Sequence, residues 1–206
     1  INNKVHDLDL ITGSENEVAL DISKLRLDAN LITIDAGFKN TGSCQSAITF
    51  LDGEKGILRY RGYSIEELAN KADFLEVAYL LIFGELPTKQ QLEKLSDDIN
   101  ERSIIDEDLR IILNSYPKSA HPMGILSSLT SGLVAFDPSA VDIDDDEDMY
   151  DAILNLLAKI PVLVAWVYRR RKGLPLEYGD TSLGYVENIA KMMFQRPNKE
   201  YIQNQT

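Results

Sequence analysis

The feature that most constrains the fold is a change of apolar period near residue 62. Two short β-prone runs, residues 46–51 and 56–60, are joined by Asp-Gly-Glu-Lys, in which Asp-Gly supplies the positive φ of a tight hairpin turn. The hairpin ends at Gly62. Ser64, followed three residues later by Glu67, forms a capping-box pattern that predicts a helix beginning at Ile65. The sequence therefore predicts a small β element that leads directly into helical structure.

Apolar residues recur every three or four positions through most of the remaining chain, as they do on the buried faces of amphipathic helices. Helices are predicted over residues 65–70, 106–116, 147–171 and 183–194. Others are predicted to stop at Gly84, to follow a capping box of Thr88 and Gln91, and to begin at Pro122. Pro161 should kink the long helix because it has no amide hydrogen. The predicted fold is mainly α.

Residues 1–35 lack this helical period, and short strands or extended segments fit them better than a helix does. We therefore predict two regions. Residues 1–62 form an N-terminal β segment with the hairpin, and residues 63–206 form a multi-helical portion.

Composition excludes several classes of protein. The net charge is −12, which argues against binding to a nucleic-acid backbone. The single cysteine, Cys44, cannot form an internal disulfide, so we expect a reducing, cytoplasmic setting and a buried or half-buried thiol. The most apolar run, residues 152–168, is short and is broken by Asn155, Lys159 and Pro161, so no membrane span is predicted, and no secretory signal is visible.

No catalytic motif is present, and only two histidines could act as acid or base near neutral pH. His6 is expected in solvent rather than on a metal, because no ligand-type partner stands at a workable spacing. His121 precedes Pro122 at a helix start, where capping of backbone amides is favoured over chemistry.

Two charged runs flank the long predicted helix. Residues 144–148 are acidic but lack the glycine and the glutamate of a calcium loop, so stabilisation of the helix N-terminus is favoured. Residues 169–172, Arg-Arg-Arg-Lys, suit the negative end of the same helix, and a phosphate site is the alternative.

Several segments, in one order, closely resemble the amino-terminal region of bacterial-type citrate synthase. They are Asp-Ala-Gly-Phe-Lys-Asn-Thr from Asp35, Ser-Ala-Ile-Thr-Phe-Leu-Asp-Gly-Glu-Lys-Gly-Ile-Leu-Arg-Tyr-Arg-Gly-Tyr from Ser46, Phe-Gly-Glu-Leu-Pro-Thr from Phe83, Ala-His-Pro-Met from Ala120, and residues 188–194. The resemblance covers the chain from about Ala19 onward.

The resemblance implies an enzyme that condenses acetyl-CoA with oxaloacetate, with no further cofactor. Its catalytic histidines and aspartate lie downstream of the matched region, so we carry no catalytic, cofactor or metal residue over to this chain. It also implies a homo-oligomer, dimer or hexamer, in which the helix after Pro122 and the long helix pack on their copies. The predicted interface residues are Leu126, Leu129, Leu133, Leu156, Ile160 and Leu163. A 2-methylcitrate synthase and a non-catalytic helical dimerisation module remain alternatives.

Some bacterial members of this family bind NADH at a regulatory site. The aligned positions here are Glu101-Arg102-Ser103 in the loop, Asp137 in place of a tyrosine and Asn155 in place of an arginine, and only Lys159 keeps its type. Because added acid disfavours a dinucleotide phosphate, we predict no inhibition by this route.

Overall fold

The structure is a computed structural model that describes residues 4–136, 144–199 and 201. It divides into two compact units, Ile1–Ala47 and Ile48–Thr206, which we call the N-terminal unit and the helical unit. Within the described residues there are eight helices and five short strands, so the predicted mainly α class is confirmed.

The N-terminal unit contains an antiparallel pair, β1 (Leu10–Thr12) and β2 (Val18–Leu20), and one short helix, α1 (Leu25–Ala29). The strands agree with the sequence prediction, but the prediction was wrong for α1, whose leucine, arginine and alanine favour a helix. None of its described residues, 4–47, is buried. Cys44 is exposed, so the prediction of a buried or half-buried thiol was also wrong.

The hairpin begins the helical unit as an antiparallel sheet of β3 (Thr49–Asp52), β4 (Ile57–Tyr60) and β5 (Tyr63–Ser64). Its first turn differs from the prediction, because the positive φ falls on Gly56 and not on Gly53. The Asp52 carboxylate holds this turn by accepting from the amides of Glu54 and Lys55, at 3.1 and 3.0 Å.

The unit boundary lies between Ala47 and Ile48, whereas we predicted it after Gly62. The physical reason is that β4 pairs with β5 and both strands contact the helix that begins at Ile65, so the hairpin is joined to the helical unit. The connecting turn needs positive φ at both Arg61 (48°) and Gly62 (92°), as in a two-residue hairpin.

Seven helices follow: α2 (Ile65–Lys71), α3 (Phe74–Phe83), α4 (Lys89–Glu101), α5 (Glu107–Ser115), α6 (Pro122–Phe136), α7 (Asp146–Lys172) and α8 (Tyr185–Phe194). The capping box of Thr88 and Gln91 is formed as predicted. The box at Ser64 is half formed: its hydroxyl accepts from the Glu67 amide at 3.2 Å, while the Glu67 carboxylate pairs with Lys71. Gly84 ends α3 in the left-handed region, also as predicted.

Helix α7 is shared by two hydrophobic cores. One core contains Leu154 and Ala158 with buried residues of α3 and α4, and the other contains Val162, Leu163 and Trp166 with buried residues of α5, α6 and α8. By length and composition α7 could cross a membrane, but the core helix of a globular protein passes the same test. Its packing into both cores accounts for its apolar character.

Candidate functional site

The two histidines do not form a site with other ligand-type residues. His121 is exposed, and its Nδ1 accepts from the Met123 amide at 3.3 Å, which is the predicted capping role at the start of α6. His6 is half-buried in the N-terminal unit. Across residues 4–136, 144–199 and 201, no cluster of three or more His, Cys, Asp or Glu side chains is placed to hold a metal ion.

The acidic run before α7 caps that helix. The Asp145 carboxylate accepts from the amides of Glu147 and Asp148, at 2.9 and 3.1 Å, so it satisfies two donors that have no partner within the helix. This geometry supports the helix-terminus interpretation of the run over a calcium loop.

The basic residues at the other end of α7 differ in burial, which the sequence analysis did not predict. Arg169 is fully buried, whereas Arg171 and Lys172 are exposed. The Arg169 guanidinium donates to the carbonyl oxygens of Pro175, Met192 (3.2 Å) and Gln195 (2.7 Å), and it lies 3.4 Å from a Glu177 carboxylate oxygen.

Arg169 therefore ties three parts of the chain together, α7, the loop after it, and the C-terminal end of α8. Its charge lies at the negative end of the α8 dipole, where a cation is favourable. The sequence analysis missed this residue by treating the four basic residues alike. Its position gave the signal, because it lies three residues after Trp166 and seven after Val162, on the buried stripe of α7.

A second polar contact satisfies a carbonyl that the proline in α7 leaves without its usual donor. Pro161 has no amide hydrogen, so it cannot donate to the carbonyl four residues earlier, which belongs to Leu157. The Tyr185 hydroxyl of α8 donates to that oxygen at 2.8 Å. Burial raises the pKa of Tyr185 to about 12, so the hydroxyl keeps its proton throughout the neutral range.

Tyr185 also closes a cleft between α3, α4 and α8. Its ring stacks on Phe74 with centroids 5.2 Å apart, and the cleft has a volume of about 280 Å³. Its lining includes two carboxylates that the helix dipoles stabilise, Asp73 at the N-cap of α3 and Glu187 in the first turn of α8.

Helices α6 and α7 line a shallow apolar groove of about 130 Å³, which we call the α6–α7 groove. Two of its apolar side chains are open to solvent, Val134 (60% exposed) and Leu156 (42% exposed). It is lined by Thr130, Leu133, Val134, Ala152, Asn155, Leu156 and Lys159.

The six predicted interface residues separate into two groups. Leu129 and Leu163 are fully buried and Leu133 is 7% exposed, all in the core of the chain itself, so these three have little surface to offer a partner. Leu156 is exposed, and Leu126 and Ile160 are half-buried. Of the six predicted interface residues, Leu156 is therefore the one most available to a partner.

The positions aligned with an NADH site do not form a basic cluster in the part of the chain that is described. Glu101 is exposed, and Arg102 is paired with Asp151 at 2.8 Å. Asn155 and Lys159 line the α6–α7 groove. Asp137 lies outside the described residues.

Comparison with known proteins gives a consistent assignment. Residues 37–204 match the family model described as citrate synthase, C-terminal domain. The chain is 42% identical to a citrate synthase of Corynebacterium glutamicum over 195 residues. The matched region covers 95% of this chain and 45% of that protein. It thus spans less than half the length of this curated relative.

Solved structures agree. The crystal structure of citrate synthase from Pyrobaculum aerophilum matches with a TM-score of 0.70 at 28% identity, over 93% of this chain and 46% of that one. The enzyme from Thermotoga maritima matches with a TM-score of 0.68 at 32% identity, over 81% and 43%. A complex of the Thermoplasma acidophilum enzyme with carboxymethyl coenzyme A and oxaloacetate matches with a TM-score of 0.73 at 25% identity, over 80% and 43%. Because the family model matches most of its length, this chain belongs to the citrate synthase family.

Proposed function

We propose that this chain is the amino-terminal part of a citrate synthase that condenses acetyl-CoA with oxaloacetate to give citrate and CoA. The observation that carries the proposal is the 42% identity to a citrate synthase over 95% of the chain. The enzyme is an acyltransferase of the tricarboxylic acid cycle, acts in the cytoplasm, and needs no cofactor beyond its substrates.

The chain contributes the scaffold of this enzyme, and the catalytic groups lie in the part of the parent protein that the chain does not cover. Two features support the view that the catalytic groups lie outside this chain. The chain spans 45% of its Corynebacterium relative, and the described histidines cap a helix or lie outside any ligand cluster. Arg169 and Tyr185 then act as positioning residues, because they fix α8 on α7.

Thiol release from acetyl-CoA in the presence of oxaloacetate tests the proposal. The parent protein should turn over acetyl-CoA, and the isolated 206-residue chain should not. A parent that strongly prefers propionyl-CoA would be a 2-methylcitrate synthase instead. A parent reading frame without further histidines, aspartate and arginines downstream would favour a non-catalytic dimerisation module.

We also propose that the α6–α7 groove is a contact between copies of the protein, in a dimer or a dimer-based hexamer. Its exposed Val134 and Leu156 are apolar, and Ser127 and Ser131 on the outward side of α6 are small enough to let another helix approach closely. Leu156→Asp should prevent association, because it places a charge in an apolar contact. The matched control is Ile111→Asp on α5, which is equally apolar and 65% exposed.

Inhibition by NADH through the site known in some relatives is not expected here. Glu101 and the Arg102–Asp151 pair leave little net positive charge where a dinucleotide phosphate would lie. Strong inhibition of the parent enzyme by NADH would contradict this proposal.

A further inference from the structure

We draw no further inference here: the strongest candidate, the cleft between α3, α4 and α8 in which the stacked rings of Phe74 and Tyr185 lie beside the carboxylates of Asp73 and Glu187, carries nothing because both carboxylates are accounted for by the helix N-termini on which they lie, and nothing among the described residues shows what covers the cleft.

Discussion

Removing the Tyr185 hydroxyl should destabilise the helical unit through the carbonyl that Pro161 leaves without a donor. In Tyr185→Phe the half-buried Leu157 carbonyl oxygen loses the hydroxyl that lies 2.8 Å away. An unsatisfied polar group of this kind costs about 1–3 kcal/mol, so we expect the free energy of unfolding to fall by about 2 kcal/mol. This is a large part of the typical 5–15 kcal/mol of a folded domain.

A double-mutant cycle with Pro161→Ala isolates this mechanism. Alanine restores an amide hydrogen that can donate to the Leu157 carbonyl in the ordinary helical pattern, so Tyr185→Phe should cost only about 0.5–1 kcal/mol in that background. The expected coupling is therefore about 1 kcal/mol or more. Urea unfolding at one protein concentration measures all four proteins, with the slope m unchanged if two-state behaviour is kept.

The control for Tyr185→Phe is a second tyrosine, Tyr150, which lies on α7. Tyr150→Phe removes a hydroxyl whose hydrogen bond, to an Asp98 carboxylate oxygen, is long at 3.4 Å, so it should cost at most about 0.5 kcal/mol. Equal effects of Tyr185→Phe in the wild-type and Pro161→Ala backgrounds would show that the hydroxyl does not replace the missing amide donor.

Three further predictions concern charge, pH and backbone. Arg169→Met should lower the free energy of unfolding by about 3 kcal/mol, because three carbonyl oxygens lose a charged donor. Arg171→Met, at an exposed position, should change it by at most about 0.5 kcal/mol. Equal urea midpoints for the two variants would contradict this. Because the pKa of Tyr185 is raised from 10.0 to about 12 in the folded state, the unfolded state binds fewer protons in that window, so stability should fall as pH rises from 10.0 to about 12. Tyr185→Phe should reduce this slope in alkaline unfolding curves, and the raised pKa values of Tyr150 and Tyr178 should account for what is left. Gly84→Ala should cost about 1–2 kcal/mol because α3 ends there at φ 90°, and a stability equal to wild type in thermal unfolding would count against a strained position.

Features that depend on neighbouring residues in sequence could be predicted from the sequence alone. The Thr88–Gln91 capping box, the proline start of α6 and the glycine end of α3 all rest on hydrogen bonds or φ angles within a few residues. The turn before β4 shows the limit of such patterns. Its Asp-Gly pair indicated a turn correctly, but the Asp52 side chain bonds two amides and moves the positive φ to Gly56.

Features set by packing between distant segments could not be predicted in this way. Cys44 carries a side chain that is usually buried, but it belongs to a unit whose described residues form no core of their own. The place of Arg169 on the buried stripe of α7 can be recognised from its spacing to Trp166, but the α8 carbonyl oxygens that satisfy its guanidinium could not be predicted from the sequence. Leu129 and Leu163, which the sequence placed at an interface, lie in the core of the chain itself, and the sequence pattern could not distinguish the two roles because an apolar side chain suits either a core or a contact between subunits.

Helix α7 shows why these two roles overlap in this chain. Its buried stripe runs through Leu154, Ala158, Val162 and Trp166, while Leu156 on the opposite side is also apolar and remains exposed. A helix that served only one core would be polar on its outer side. The exposed Leu156 therefore adds to the two cores of the chain itself the apolar side chain on which the proposed contact at the α6–α7 groove rests. Pro161 lies where the two cores meet, and the Tyr185 hydroxyl compensates for its missing donor there. Because α8 supplies this hydroxyl and the carbonyl oxygens that bind Arg169, a variant that loosens α8 should lower the free energy of unfolding of the helical unit.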